Sequence, residues 1–202
     1  MQHYREIKGV NLPKTQLGLS KMNALADVAE EFFNDVGFYQ TSIADICKKA
    51  NTAVGTFYIY FESKTAVYRY LVEKYKSDIK RALAKSIKEC HTRYEKEREG
   101  IRCFINYALS KPTVYNLIWG SLAVDKQLFT DYYESFAHSY AKSLLRDKQE
   151  ILHSNTTAIA YMLMGITNFV GLHAIFHDMS KENVDKLVDE TIMPMLKNGL
   201  FS

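Results

Sequence analysis

The sequence predicts an all-α fold, with a small N-terminal three-helix head and a larger helical body. The chain of 202 residues has only three prolines and nine glycines, which is few for an architecture that depends on many turns. It is 47% hydrophobic and 24% charged, as in ordinary globular proteins. Apolar residues recur at three- and four-residue steps over most of the chain, which is the period of amphipathic helices.

The net positive charge of the chain arises entirely from its first part. Residues 1–81 contain 12 Lys and Arg against 9 Asp and Glu, whereas residues 82–202 contain 14 of each kind. This asymmetry favours a polyanion as the partner of the first part. The odd number of cysteines fits no metal or disulfide spacing, and no basic-then-apolar leader opens the chain. We therefore expect a cytoplasmic protein with reduced thiols.

Two helices and a tight turn are predicted after a polar segment. Residues 1–18 are polar and irregular and predict a flexible arm, and the helical pattern then runs from Ser20 to Gly37. Thr41 is a suitable N-cap for a second helix, "SIADICKKA". Only "NTA" separates this helix from the next stretch, and two short helices joined by so tight a turn predict a helix-turn-helix.

The stretch "TFYIYF" is the predicted third helix. At 100° per residue, Phe57 and Phe61 share one face and point inward, whereas Tyr58 and Tyr60 lie on opposite flanks and direct their hydroxyls outward. Val54 falls near the inward face of this helix.

The next helix begins behind the aromatic stretch. Ser63 is its predicted cap, and Lys64 lies in its first turn, where the helix dipole disfavours a cation. We therefore expect a phosphate as the partner of Lys64. The rest of the chain predicts further helices, namely a long one from 64 to about 98, then "IRCFINYAL" before Pro112, then 113–122, 125–146, 154–177 and 183–199.

The segment "TSIADICKKANTAVGTFYIYFESKTAV" resembles the DNA-binding region of the tetracycline-repressor (TetR) family of bacterial transcription regulators, and the resemblance covers roughly residues 20–72. It implies a flexible arm over 1–18, a helix-turn-helix DNA-binding domain over 19–66, and an effector-binding and dimerisation domain over 67–202. It also implies a homodimer formed through the last two helices, which binds a palindromic operator and a small effector. No cofactor and no metal are expected.

The resemblance assigns DNA contacts to positions in and around the third helix. These contacts go mostly to phosphates, which set register without reading sequence. The positions are Thr41, Ala53, Val54, Gly55, Thr56, Tyr58, Tyr60 and Lys64. Family members often carry Ser where this chain has Ala53 and Lys or Arg where it has Val54. Because apolar groups in the major groove favour the thymine methyl, we expect an operator rich in A·T, or base readout shared with the arm.

Residues 157–177 contain no charged residue and are long enough to span a membrane. The alternative is a helix that is buried on every side, part of it in the dimer interface, and this is the interpretation we favour. His173 and His177 lie on one face of this helix, but two ligands without a third predict a metal site only weakly.

Effector contacts are expected from aromatic and polar residues of the body, which suit a lipophilic compound with one or two polar groups. The candidates are Tyr107, Tyr115, Trp119, Phe129, Tyr133, Phe136, Asn168 and His173.

The sequence thus predicts a repressor that leaves its operator when an effector tilts the helix linking head and body. An activator of the same fold and a membrane-associated helical lipid-binding protein are the alternatives. An enzyme is not expected, because no nucleophile–base pair, paired carboxylates or phosphate-binding glycine loop stands out.

Overall fold

The computed structural model describes residues 6–199, and this part of the chain is all-α, as predicted. Its helices are α1 (Gln16–Asp35), α2 (Ile43–Lys49), α3 (Val54–Tyr60), α4 (Lys64–Ser86), α5 (Arg93–Ser110), α6 (Pro112–Val124), α7 (Lys126–Arg146), α8 (Thr156–Phe176), α9 (Lys181–Leu187) and α10 (Met193–Gly199). A 3-10 turn, Lys148–Glu150, precedes α8, and a π-helical turn, Val188–Ile192, joins α9 to α10.

The chain forms two compact units. The first comprises the described residues up to Ser77 together with Asn116–Thr130, and the second comprises Asp78–Tyr115 and the described residues from Asp131 onward. Helices α4, α6 and α7 therefore contribute residues to both units. The predicted boundary after residue 66, which follows the end of the helix-turn-helix, stays a prediction.

Hydrogen bonds explain why part of α6 belongs to the first unit. The Tyr68 hydroxyl donates to the carbonyl of Leu117 at 2.5 Å, and the Arg69 guanidinium donates to the Asp125 carboxylate at 2.7 Å. The Tyr39 hydroxyl donates to the carbonyl of an α6 residue, Ala123, at 2.7 Å. These bonds join positions more than 45 residues apart, so the local pattern of the sequence could not predict them.

The first two helices begin at residues other than those predicted. Helix α1 begins at Gln16, four residues before Ser20, because the Thr15 hydroxyl accepts a hydrogen bond from the Gly18 backbone N–H and caps the helix there. Helix α2 is capped by Ser42, whose hydroxyl accepts from the Asp45 N–H. The prediction that Thr41 is this cap was wrong.

The described part of the predicted arm is paired with the end of α3. Val10 and Phe61 form an antiparallel bridge, in which Asn11 N–H donates to the Tyr60 carbonyl at 2.8 Å and Glu62 N–H donates to the Gly9 carbonyl at 2.9 Å. Gly9 has a φ of +77°, which favours glycine, and a Cβ there would lie 3.2 Å from the Cβ of Ala66.

The predicted helix from 64 to about 98 is two helices. Helix α4 ends at Ser86, and α5 begins at Arg93 after a capping box. In this box the Thr92 hydroxyl accepts from the Glu95 N–H, and the Glu95 carboxylate accepts from the Thr92 N–H. The "TRYE" spacing carries this signal in the sequence, and it was missed.

The core of the second unit lies among α5, α7, α8 and the C-terminal helices. Buried residues such as Ile105, Leu144, Leu163, Val188 and Met193 form one apolar cluster there. The π-helical turn places Asp189 against α5, where its carboxylate accepts hydrogen bonds from Arg98 at 2.6 and 2.7 Å and from Arg102 at 3.0 Å.

Helix α8 is only partly buried within the single chain, and its burial in a dimer interface stays a prediction. By length and composition it could cross a membrane, and 33% of its most apolar stretch is buried. Tyr161, Met162, Phe169 and Phe176 are exposed along one side of the helix. An apolar surface of this kind is typical of a partner interface.

Candidate nucleic-acid interface and ligand cavity

The predicted helix-turn-helix is present and is tightly built. Asn51 has a φ of 49°, a left-handed conformation that asparagine tolerates, and it ends the helix α2. The Thr52 hydroxyl donates to the Ala50 carbonyl at 3.0 Å and stabilises the turn. Cys47 on α2 and Phe57 on α3 are buried, so both helices are fixed through the head's core.

Helix α3 exposes its first turn and one flank. Val54 is 46% exposed, Tyr58 is 50% exposed and Ile59 is 61% exposed. Ala53 is also exposed, and a Cβ added at Gly55 would meet no atom within 4 Å. The prediction that Val54 faces inward was therefore wrong, because α3 begins at this residue and its first turn projects beyond the core.

Tyr60 lies in the interior instead of on an outer flank. It is only 6% exposed, and its backbone carbonyl accepts the hydrogen bond from Asn11. The prediction that Tyr58 and Tyr60 both direct hydroxyls outward thus holds for Tyr58 alone. The period of 100° per residue treats the two flanks of α3 as equal, whereas the arm pairs with the end of α3 at Tyr60 and Phe61.

Thr41 and Lys64 are engaged with the backbone of the loop between α1 and α2. The Thr41 side chain is 3% exposed and donates to the Gly37 carbonyl at 2.7 Å. The Lys64 ammonium donates to the carbonyls of Phe38, Tyr39 and Thr41 at 2.5, 3.3 and 2.6 Å, and it lies 4.5 Å from the centroid of the Phe38 ring. Burial lowers the pKa of Lys64. The structure therefore gives Lys64 a loop-holding role that the sequence did not predict.

Two lysines at the end of α2 add positive charge to the head, and the sequence analysis did not assign them a role. Lys48 is exposed. Lys49 pairs with Glu31 at 2.5 Å and lies 5.3 Å from the centroid of the Phe32 ring. Since Glu31 already compensates Lys49, Lys48 is the better candidate for a phosphate contact.

The second unit contains a cavity of about 370 Å³ between α4, α5, α7 and α8. Three of the eight predicted effector residues line it, namely Tyr133, Phe136 and Asn168. Leu83, Ile101, Phe104, Tyr132 and Met164 also line the cavity, so much of its wall is apolar or aromatic. The volume lies in the range of small-molecule sites.

A charged cluster forms part of the same wall. Glu97 accepts hydrogen bonds from the Arg93 Nε at 2.7 Å and from the Tyr140 hydroxyl, and both Arg93 and Glu97 are almost fully buried. Burial lowers the pKa of Arg93, but the charge of Glu97, the hydrogen bond to Glu97 and the charges of Tyr140 and Asp147 together outweigh burial and raise this pKa. Burial and the Glu97 charge raise the pKa of Tyr140. The sequence did not predict this cluster, because residues 64 to about 98 were assigned to one helix, whereas α5 begins at Arg93.

The other predicted effector residues lie elsewhere. Trp119 and Phe129 belong to the first unit, where their ring centroids are 6.1 Å apart. Tyr115 is buried and donates to the Asn168 carbonyl, behind the cavity wall. His173 is exposed and lies beside His177, with ring centroids 4.5 Å apart and ring planes tilted by 56°. Tyr107 is half-buried on α5 and is not among the lining residues.

No group of three His, Cys, Asp or Glu side chains suited to a metal ion occurs within residues 6–199. His173 and His177 therefore have no third ligand in that part of the chain.

Comparison with known proteins places the helix-turn-helix in a family. Residues 25–71 match the family described as bacterial regulatory proteins, tetR family. The uncharacterised HTH-type transcriptional regulator YvdT of Bacillus subtilis (strain 168) is 42% identical over 62 residues, which are 31% of this chain and 31% of that protein. The match thus spans about a third of the length of this relative.

Solved structures resemble the chain over nearly its full length. The fatty acid degradation regulator FadR from Bacillus halodurans has a TM-score of 0.74 at 17% identity, with coverage of 93% of this chain and 98% of its own. A TetR-like transcriptional regulator from Rhodococcus sp. RHA1 has a TM-score of 0.71 at 20% identity, with coverage of 94% and 100%. The chain thus carries a helix-turn-helix domain of the tetR family over residues 25–71, and its all-α fold is similar to that of solved TetR-like regulators.

Proposed function

We propose that the chain is a homodimeric repressor that binds a palindromic operator through α3 and its preceding turn. The observation that carries this proposal is the exposed first turn and flank of α3, where Ala53, Val54, Gly55 and Tyr58 are accessible on a helix whose other side is fixed in the core. A two-fold dimer would place two such helices in successive major grooves, about 34–36 Å apart.

The proposed DNA contacts are of two kinds. Contacts to phosphates position the protein on the duplex, and contacts to bases read the sequence. The Tyr58 hydroxyl, the half-buried Thr56 and the Lys48 ammonium suit phosphate oxygens, and Gly55 allows the two backbones to approach closely. Thr41, Tyr60 and Lys64 act behind them by holding the loop and α3 in place.

Val54 is the proposed direct reader of bases. Its exposed methyl groups suit the thymine methyl in the major groove, so the half-site should contain an A·T pair opposite this residue. Selection of operators from a random pool by the protein and by Val54→Ala tests this role. The same preferred base at that position for both proteins would show that Val54 does not read sequence.

The exposed side of α8 is the proposed dimer interface, together with α10. Met162, Phe169 and Phe176 follow one another at seven-residue steps, which aligns them along one seam of the helix, and Met195 on α10 is 54% exposed. Covering these side chains with their counterparts in a second copy would form the four-helix interface that the resemblance implies.

The cavity of the second unit is the proposed effector site. Its apolar walls suit a lipophilic compound, and the similar fold of a fatty acid degradation regulator supports this class. Helix α4 contributes residues to both units and is the proposed link by which the effector changes the spacing of the two α3 helices. An effector can shift this equilibrium only by as much as it prefers the conformation that does not bind DNA. We place the protein in the cytoplasm, where its operator and effector meet.

The test is a binding titration of the purified protein against DNA fragments from the region upstream of its own gene. We expect one fragment with a palindrome to be bound as a dimer, with an affinity that falls steeply between 50 and 200 mM salt, as ion release from phosphates requires. Binding of all fragments with equal affinity, or a monomeric protein, would contradict the proposal.

A further inference from the structure

The cavity of the second unit changes character along its length. On α5 the lining residues run from Arg93 and Glu97 to Phe104, and on α7 they run in the opposite direction from Tyr132 to Ser143. Arg93 Nη1 donates to the Ser143 hydroxyl at 3.0 Å, which fixes the polar ends of the two helices against each other. One end of the cavity is therefore charged and the other is aromatic.

Lys80 lies where these two regions meet. Its ammonium donates to the Ser135 hydroxyl at 2.8 Å and to the Ser139 hydroxyl at 3.4 Å, and it lies 5.0 Å from the centroid of the Phe136 ring. Ser139 and Phe136 line the cavity together with Lys80. The Ser139 hydroxyl donates to the Ser135 carbonyl at 2.8 Å, so the ammonium of Lys80, next to an aromatic wall, is the group suited to the head group of an amphipathic anion.

The charges of the wall also favour an anion. Glu97 is the acidic residue among the lining residues, and it already accepts from Arg93 and Tyr140. Asp147, behind the wall, accepts from Lys96 at 3.0 Å and pairs with Arg93 at 3.4 Å. The lining thus carries the cations Lys80, Arg93 and Lys96 against the carboxylate of Glu97, and a cationic ligand would have to displace an existing partner of Glu97.

We infer that this cavity binds an amphipathic carboxylate, with its head group at Lys80 and its chain against Phe104, Tyr133 and Phe136. This inference rests on the proposed function in that the ligand would be the effector. The volume of about 370 Å³ lies in the range of small-molecule sites, and decanoate represents a medium-chain acid for the test.

The experiment measures binding of decanoate, decan-1-ol and decylamine to the purified full chain without DNA, by calorimetry below the concentrations at which they form micelles. We expect decanoate to bind about tenfold or more tightly than decan-1-ol, as one charge-assisted hydrogen bond provides. Decylamine should bind most weakly. Equal affinities for decanoate and decan-1-ol, or the tightest binding for decylamine, would overturn the inference.

Two variants of α4 test whether Lys80 is responsible for the preference for decanoate over decan-1-ol. Lys80→Met should reduce the preference for decanoate to about twofold or less while decan-1-ol still binds, because the apolar wall remains. Lys85→Met removes the same charge from an exposed position of the same helix and should retain the full preference. A preference that survives in Lys80→Met places the head group elsewhere and overturns the assignment. If Lys80→Met does not fold, the comparison of the three ligands on the unchanged protein decides.

The carboxylate site and the effector role can be tested separately. Decanoate that binds with the expected preference but leaves the protein on its operator supports the carboxylate site and rejects the effector role. Operator release by decan-1-ol and decanoate at equal concentrations supports the regulator and overturns the carboxylate site.

Discussion

Some residues of the head face outward, and others lie in the interior and hold the outward-facing residues in position. Tyr58 and Val54 are about half exposed, whereas Tyr60, Thr41 and Phe57 lie in the interior. This division follows from what covers each flank of α3, since the arm pairs with its end through Val10 and Phe61. Substitutions in the two groups should therefore affect different properties of the protein.

Tyr58 and Tyr60 provide a matched pair for this difference. Tyr58→Phe removes one exposed hydroxyl from each subunit, hence two from the dimer, and should weaken binding to every DNA fragment by about 30-fold, since each hydrogen bond contributes about 1 kcal/mol. Tyr60→Phe should leave DNA affinity unchanged, because this side chain is 6% exposed. Fluorescence anisotropy with a specific and a random fragment measures both effects. Equal losses from the two variants would show that Tyr60 also contacts DNA.

We expect Lys64 to contribute more to the stability of the fold than to DNA binding. Lys64→Met leaves the carbonyls of Phe38, Tyr39 and Thr41 without its ammonium and should lower the free energy of unfolding by about 2 kcal/mol, measured by urea denaturation. The matched control is Lys48→Met at the exposed end of α2, which should change stability by about 0.5 kcal/mol or less but weaken DNA binding. If Lys64→Met retains stability and loses only DNA affinity, Lys64 is a phosphate ligand.

At the scale of the elements, ion pairs and caps decide where helices begin and how they are held. The capping box at Thr92 and Glu95 starts α5 and so positions Arg93 over the cavity. The π-helical turn between α9 and α10 positions Asp189 for bonds to Arg98 and Arg102 on α5. These polar contacts connect helices whose packing against each other the apolar pattern alone does not predict.

Asp189 should make the stability of the second unit depend on pH. The hydrogen bond from Arg98 lowers the pKa of Asp189, against the opposing effect of burial, and Arg102 lowers it further. A lowered pKa in the folded state means that the stabilisation is present above the ordinary carboxylate pKa of about 3.9 and is lost as the pH falls through the lowered value.

We expect Asp189→Asn to lower the melting temperature at pH 7 by about 2–4 °C, which corresponds to about 1 kcal/mol for a chain of this size. The effect is limited because the Asp189 side chain is 35% exposed and solvent screens its charge. Below about pH 4 the difference from the unchanged protein should begin to shrink, and it should close once the pH lies below the lowered pKa of Asp189. Asp185→Asn, which removes a half-exposed carboxylate paired with Arg102, should have a smaller effect. A difference of constant size from pH 7 to pH 3 would exclude the charge of Asp189 as the cause.

For the whole molecule, the apolar side of α8 is the feature that a single chain leaves unexplained. Phe169 is 65% exposed and Phe176 is 73% exposed on a helix that carries no charged residue. A second copy covers these rings in the proposed dimer, and operator binding depends on that dimer because each copy supplies one α3.

Phe169→Glu should therefore dissociate the dimer and abolish tight operator binding. Burying an unpaired carboxylate costs about 3–5 kcal/mol, which raises the dimer dissociation constant by about 100-fold or more. Analytical ultracentrifugation measures the change. Leu152→Glu places the same charge at another exposed apolar site of the second unit and should leave the dimer intact. Dimers of unchanged stability in Phe169→Glu would locate the interface on another surface.

Much of this architecture was determined by the sequence itself. The period of the apolar residues predicted the helices, and the spacing around "NTAVGTFYIYF" predicted the helix-turn-helix, because both depend on neighbours within a few residues. The inward direction of Phe57 and Phe61 was predicted for the same reason and is confirmed, since both are fully buried.

Only the tertiary structure decided which polar groups remain accessible. Tyr60 is buried where the distant arm pairs with the end of α3, a contact that the sequence of α3 does not encode, and Val54 is exposed because the first turn of α3 projects beyond the core. The capture of Lys64 by a loop more than 20 residues away, and the meeting of Lys80 with α7 at the cavity, are likewise long-range contacts. Local periodicity determines which face of a helix is apolar, but the packing of other segments determines which of its polar side chains can still reach a ligand.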